Sequence, residues 1–395
     1  MTQTSPLANR FTRLQWGGLA VGIAGLVLAV LLAFVSGVDV FFQSYLFAFM
    51  FWTGLALGCF VMLSVQHMAG GSWGALIRRP LEAGSMVLPA MAILFIPLIF
   101  GMGSLYEWTH ADFLASHPIV AAKTGYLNTP FFIIRSAVYF LIWGLGAWYF
   151  FRQSGKQDTN EGESGRIGFR LKSVSAMWII VYVLTMTLAG VDWSMSLTPE
   201  FFSGIYSVIL MIGQAISAVC FIIFIMVYLA SKDEEIDELL TSKRLQDLGN
   251  FLMAFTMFWA YTSVAQLVIL WSNNIVETNP YYVLRFSPGW RAVGLFIIFF
   301  GFFAPFVILF SRWVKRKRRA LVLVAVWAIF IRLLDLFFIV IPNFGREGFP
   351  LHLLDVVLII AMGGIWLGVF ALAFKSRPAL PLHDPRLAAK AGHHG

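Results

Sequence analysis

Long apolar stretches alternate with short polar ones ten times along this chain. They run about 16–37, 41–67, 84–104, 129–151, 170–191, 202–230, 246–272, 290–311, 320–341 and 350–374. Each reaches the ~20 residues that an α-helix needs to cross the hydrocarbon core of a bilayer. None shows the two-residue alternation of a barrel strand. In lipid the backbone polar groups must be satisfied within each segment, so these runs predict helices. The expected fold is an all-α polytopic membrane protein of about ten transmembrane helices. It forms a single integral membrane domain over 1–395, with 375–395 as a short cytoplasmic tail. Composition agrees: 59% of residues are hydrophobic, 12% are charged, and the mean hydropathy is +0.80.

The net charge of +8 changes meaning once it is placed on this pattern. Alternate connections hold Arg10 and Arg13, Arg78 and Arg79, Arg152 to Lys172, Lys232 to Arg244, Arg312 to Arg319, and Lys375 to Lys390. Together they carry 22 of the 28 basic residues. The other connections hold Lys123, Arg285, Arg291 and Arg346, while Arg135 and Arg332 lie within apolar runs. By the positive-inside rule both termini are expected in the cytoplasm. The charge is therefore a topology signal with lipid as the partner, and no nucleic acid is implied. The apolar run from Leu19 to Val35 exceeds the roughly 7–15 residues of a signal-peptide core, so it reads as a retained helix. The polar, Gly-rich stretch 153–168 reads as a mobile loop. The segment KDEEIDELLTSKRLQD reads as a short amphipathic surface helix, and 105–128 as an interfacial segment.

Cys59 and Cys220 both fall in apolar runs and form no CxxC motif. Seven scattered histidines make no haem pair. The chain alone is expected to bind no metal and no redox cofactor.

Chemistry concentrates in three places. The first is QHMAGGSWGALIRRPLEAG, Gln66 to Gly84. Its glycines permit a tight turn, and Arg78-Arg79-Pro80 reads as a basic edge before a helix that starts at the proline. Glu82 then falls in the first turn of that helix. This is either a capped loop at the headgroups or, through His67 and Glu82, a proton entrance. The second is a set of charges toward the opposite face. Arg332 and Asp335 are three apart on one helix face, as are His352 and Asp355. Asp335 lies ~10 Å, and Asp355 and Arg135 each ~8 Å, from the ends of their runs at the helical rise. Asp192 ends the fifth run near the same face. These charges are either ion pairs holding helices together or a proton or quinone-headgroup site. The third is a set of uncharged polar residues within runs: Tyr206, Gln214, Tyr261, Ser263 and Gln266. They serve either helix packing or a water chain.

In order, HMAGGSWGALIRRPLEAG, LPAMAILFIPLIFG, YLNTPFFIIRSAVYF, GVDWSMSLTPEFFSGIYSVILMIGQ, FWAYTSVAQLVILWSNN, IRLLDLFFIVIPNF and the tail LPLHDPRL resemble one family. It is the ActF-type membrane subunit of alternative complex III, within the NrfD-like polysulfide-reductase membrane-subunit superfamily. The resemblance runs from about residue 60 to the C-terminus. It implies two four-helix bundles plus flanking helices. It also implies a place in a respiratory or photosynthetic quinol:electron-acceptor oxidoreductase in the bacterial inner membrane. The implied partners are a larger homologous NrfD-like subunit, a periplasmic iron–sulfur subunit, multihaem and monohaem cytochrome c subunits, and small membrane subunits. Iron–sulfur clusters and c-type haems then sit on those partners. This chain would be a subunit without a cofactor of its own, open to quinol and contributing a proton pathway beside the quinol-oxidising sister. Arg135, Asp192, Arg332 and Asp335 lie in the matching segments as pathway candidates. Two other readings remain: the membrane anchor of a polysulfide-reductase-type molybdopterin oxidoreductase, and a secondary transporter. Pro97 and Pro305 interrupt apolar runs, as broken transporter helices do.

The topology is directly testable. Reporter fusions at both termini are expected to show cytoplasmic activity, and the mature chain is expected to keep its first helix. An external C-terminal reporter, or a mature chain that starts after Val35, contradicts the charge-based orientation.

Overall fold

The computed structural model describes residues 6–273, 275, 278–346 and 351–384. Arg386 and Lys390, counted above on the basic side, lie outside them, as does the predicted start of the last run at 350. The protein is an all-α polytopic membrane protein, and no strand occurs among the described residues. Among the described residues, ten helical segments are long and apolar enough to cross a membrane. We label them α1 (Leu7–Ser36), α2 (Val38–Ala69), α3 (Trp73–Phe100), α4 (Thr129–Thr159), α5 (Glu161–Leu197), α6 (Tyr206–Ala230), α7 (Ser242–Asn273), α8 (Pro288–Phe310), α9 (Arg318–Phe344) and α10 (Leu353–Lys375).

Helices α2 to α5 pack as one four-helix group and α6 to α9 as a second. The deeply buried α2 and α6 lie against each other and join the groups. Flanking them, α1 lies along α10, and α10 packs onto α2. The α1–α10 contact is close because small residues face each other. A Cβ on Gly364 would sit 2.6 Å from the Gly18 carbonyl oxygen and 2.7 Å from the Gly22 nitrogen. Such small-residue seams let membrane helices gain dispersion energy where lipid supplies no hydrophobic drive. The rest of α1 leaves Val27, Leu31, Phe34 and Val35 exposed, which suits lipid.

Three expectations are corrected. The third helix does not begin at Pro80. It begins at Ser72, right after Gly70 and Gly71, whose φ values of +70° and +88° reverse the chain. Only glycine reaches that region without strain. Pro80 and Glu82 therefore lie inside the helix, and its only interruption is the turn at Met86–Val87. Pro97 sits within the unbroken helix Leu88–Phe100. Second, the expected mobile loop 153–168 is largely helical. One helix continues to Thr159, and the next starts at Ser164 after a single 3-10 turn. Side chains along it make buried contacts described below, which order a sequence that looks soluble. Third, Pro305 does disturb α8, but as a π-bulge at Phe299–Phe303 rather than a break. The Trp327 indole N–H donates to the Phe300 carbonyl within the bulge, at 2.8 Å. A bulge of this kind absorbs the missing proline N–H.

The surface segment after α6 forms a six-residue helix, Glu234–Leu239, capped by the Asp233 side chain. The segment 105–128 folds into short helical turns. They are tied to the α5–α6 connection by Lys123, whose ammonium donates to the Pro199 carbonyl at 2.7 Å.

The seam between α1 and α10 makes a clear test. Gly364→Leu is expected to lower stability by overpacking, on the order of 1–3 kcal/mol or more. Gly17→Ala, where nothing lies within 4 Å, is expected to be neutral. Thermal unfolding in detergent distinguishes the two, and equal midpoints would contradict the close packing.

Candidate functional site

Hydrogen bonds sort the connections into two ends. The basic end holds the N-terminus, the 2–3, 4–5, 6–7 and 8–9 connections and the tail, and the far end holds the 1–2, 3–4, 5–6, 7–8 and 9–10 connections. At the basic end, Arg78, Arg79 and Glu82 project inward from one short helix and are nearly inaccessible. Arg78 Nε donates to Glu82 Oε1 and Arg79 Nη1 to Glu82 Oε2, each at 2.8 Å. The outer nitrogens reach the α4–α5 hairpin. Arg78 donates to Gln157 at 2.7 Å, and Arg79 to Ser154 at 2.6 Å and to Asp158. The tail completes the cluster: Asp384 lies 3.3 Å from Arg78, and the Ser164 hydroxyl donates to the His383 carbonyl. Both Glu82 oxygens are thus engaged, and the cluster clamps α3, the α4–α5 hairpin and the tail. His67 lies at the same end and stacks on Phe150 of α4, with ring centroids 5.5 Å apart.

The charges toward the far face resolve into three separate groups. In the first, Arg135 on α4 and Asp192 on α5 form a two-pronged pair, both bonds at 2.9 Å. Tyr139 donates to the same carboxylate at 2.8 Å, and Arg135 Nη1 donates to the Tyr126 carbonyl at 2.9 Å. The Arg135 guanidinium also lies 3.8 Å from the centre of the Tyr126 ring. Burial pushes the Tyr126 phenol up to about 12. In the second group, Asp355 accepts from Ser44 at 2.6 Å and pairs with Arg346 at 3.2 Å. Arg346 also donates to Gln43 at 3.0 Å. His352 is the N-cap of α10. Its Nδ1 accepts from the Leu354 N–H, while its own N–H donates to Asp355, a reciprocal capping box. Among the described residues no hydrogen bond or ion pair joins Asp335 to Asp355 or His352.

The third group is Arg332 and Asp335 on α9. Their closest N···O distance is 3.2 Å, and both are buried. The guanidinium lies 4.1 Å from the centre of the Trp259 ring, and neither Nη1 nor Nη2 has a hydrogen-bond partner. Two cavities meet here. The larger, about 190 Å³, lies between α6, α7, α8, α9 and the helix Asn279–Phe286, and is lined by Tyr206, Gln266, Tyr281, Tyr282, Arg285 and Asp335 among others. The smaller, about 50 Å³, lies between α2, α5, α6 and α9, and is lined by Gln214, Ser217, Arg332 and Asp335 among others. Asp335 and its neighbour Ile339 line both. A water needs roughly 10–15 Å³ of such volume and two or more polar partners, so the smaller cavity has room for a short water cluster. Gln214 carries the polar path on to Tyr182, whose hydroxyl donates to it at 2.6 Å.

Of the other polar residues in apolar runs, Tyr206 bonds Ser194 at 2.5 Å. Gln266 accepts from Ser203 at 3.0 Å and donates to the Tyr282 hydroxyl at 3.3 Å. Ser263 lines the larger cavity, and Tyr261 faces outward, 70% exposed. Burial pushes the Tyr282 phenol up to about 12, so it stays a hydrogen-bond donor. Sequence reasoning overlooked Tyr182, Tyr281, Tyr282 and Arg285. The first looks like packing in a hydrophobic run, and the others sat in what read as a loop. Among the described residues no group of three or more His, Cys, Asp or Glu side chains could hold a metal ion. No protein-family model matches the chain, and no curated protein matches it.

The Arg135–Asp192 pair gives a sharp expectation. Removing one partner leaves a buried charge alone, a loss on the order of 3–5 kcal/mol. Asp192→Leu is therefore expected to destabilise the protein strongly, and Arg135→Met with Asp192→Leu to recover much of that loss. Denaturant melts of the single and double variants check this, and a single variant as stable as the parent contradicts it.

Proposed function

We propose that this chain is an integral membrane subunit of a quinol:electron-acceptor oxidoreductase of the alternative complex III type, and that Asp335 carries protons within it. The order of motifs from His67 to the tail supports the family. One observation supports the role: Asp335 borders two cavities, and its near partners are the Arg332 guanidinium, which makes no hydrogen bond to it, and the Trp259 indole. Among the described residues, the other buried carboxylates of the spanning helices, Glu82, Asp192 and Asp355, each accept two or more hydrogen bonds.

In this reading the smaller cavity is the wet side of Asp335. A proton reaching the carboxylate passes to water held by Arg332, Gln214 and Ser217, and Arg332 balances the charge when the carboxylate is ionised. Intramembrane carboxylates facing a polar cavity mark such relays. Quinol oxidation belongs to the larger NrfD-like sister subunit. Iron–sulfur and c-type haem subunits on the far side, placed as periplasmic, take the electrons. The chain then lies in the bacterial inner membrane with both termini cytoplasmic, and the Arg78–Glu82–Arg79 clamp closes the cytoplasmic end.

Asp335→Asn is expected to leave the complex assembled but to cut quinol oxidation or proton release at least roughly tenfold, with Asp335→Glu retaining more. The measurement is turnover and proton release per assembled complex. Wild-type values in an assembled Asp335→Asn complex rule out the relay. Gentle purification gives a separate check on the complex: haem-bearing partners should copurify, whereas a transporter comes out alone.

A further inference from the structure

Four basic residues lie in the far-end connections. Lys123 is held by the Pro199 carbonyl and Arg346 by Asp355. The remaining two, Arg285 and Arg291, line the same cavity, the larger one beside Asp335. Among the described residues neither has a carboxylate partner. Arg285 is buried. Its terminal nitrogens donate to the Tyr281 and Ile339 carbonyls and to Asn343 Oδ1, and its Nε has no partner. Arg291 is exposed at the rim. This is a concentration of positive charge on the face that otherwise carries little.

The shape of the cavity says which part of a ligand goes in. Phe286, Leu295 and Ile298 line it yet are about half exposed on the outside of the bundle, so it opens sideways, toward hydrocarbon. Its wall is mostly apolar, with Ile209, Leu267, Ile297 and Phe338 inside. At about 190 Å³ it is smaller than the roughly 300–1,000 Å³ of a pocket that encloses a whole small molecule. Three polar side chains that line it are already engaged, Tyr206 with Ser194 and Gln266 with Ser203 and Tyr282, and Asp335 faces the smaller cavity as well. A polar headgroup pushed inward would exchange water for few hydrogen bonds, which is costly. A hydrocarbon chain loses nothing there. We propose that this slot binds one anionic phospholipid of the far leaflet, its acyl chain inserted between α7 and α8. Its phosphate sits on Arg291, with the Arg285 charge behind it. The inserted chain would shield Asp335 on its lateral side. The site follows from the cavity and its two cations alone, so it stands or falls apart from the proton role of Asp335.

The test uses the full chain, reconstituted in phosphatidylcholine vesicles doped with phosphatidylglycerol and re-extracted in mild detergent. Copurifying phospholipid is counted per chain by mass spectrometry. Stoichiometric phosphatidylglycerol in excess of phosphatidylcholine is expected. Arg291→Gln is expected to lower its retention about fivefold, the effect of one surface cation on an anionic lipid. Ile298→Trp, which fills the slot from its exposed mouth, is expected to abolish retention with an unchanged melting temperature. Lys123→Gln is the control and should retain lipid as the parent does. Equal retention of both lipids overturns the proposal, as does retention indifferent to Ile298→Trp. Displacement by a neutral ring amphiphile such as a short-chain quinone also overturns it, because the inner end would then accept a polar head.

Discussion

The arrangement of this bundle depends on one constraint: a charge removed from water must find its partner inside the protein. An isolated ionised group in low dielectric costs many kcal/mol, and the surrounding helices must be placed to avoid that. Glu82 binds two guanidiniums of its own helix, and those guanidiniums draw in the α4–α5 hairpin and the tail. Asp192 fixes α5 to α4 through Arg135. Asp355 fixes the start of α10 to α2 through Ser44, and to the α9–α10 connection through Arg346. Hydrophobic matching alone does not distinguish one rotation of an apolar helix in lipid from another. Paired charges do, because a rotated helix would carry its charge into hydrocarbon.

The same constraint explains what could be read from the chain. Ten helices were legible because lipid requires an unbroken apolar run for each crossing, and such runs are local. The α4–α5 hairpin was not legible. Gln157, Asp158 and Ser164 look solvated in sequence, and only their buried partners order them. Those partners are remote: Arg78 and Arg79 each lie 79 positions before Gln157 and Asp158, and His383 lies 219 positions after Ser164. The start of α3 was misplaced for a related reason. Arg78-Arg79 resembles a membrane border when charge is counted residue by residue, but in the fold both guanidiniums point inward and are neutralised there. A local count of charge cannot see a distant counter-ion.

The candidate site shows a further limit of spacing. Arg332 and Asp335 drew notice as an i,i+3 pair in an apolar run. Arg79 and Glu82 have the same spacing, yet the two pairs differ in kind. Both oxygens of Glu82 are held at 2.8 Å by guanidinium donors that are themselves bonded elsewhere. Arg332 approaches Asp335 only to 3.2 Å, and its terminal nitrogens make no hydrogen bond. Sequence spacing reports that two charges can meet; it does not report whether the meeting is saturated. A saturated carboxylate has no lone pair to offer water without breaking a strong charge-assisted bond. An unsaturated one beside a polar cavity retains that capacity, and the free guanidinium N–H groups can orient the same water. On the proposed reading of Asp335, the feature that separates a relay from a rivet is therefore incomplete bonding, and it becomes visible only when every partner has been placed.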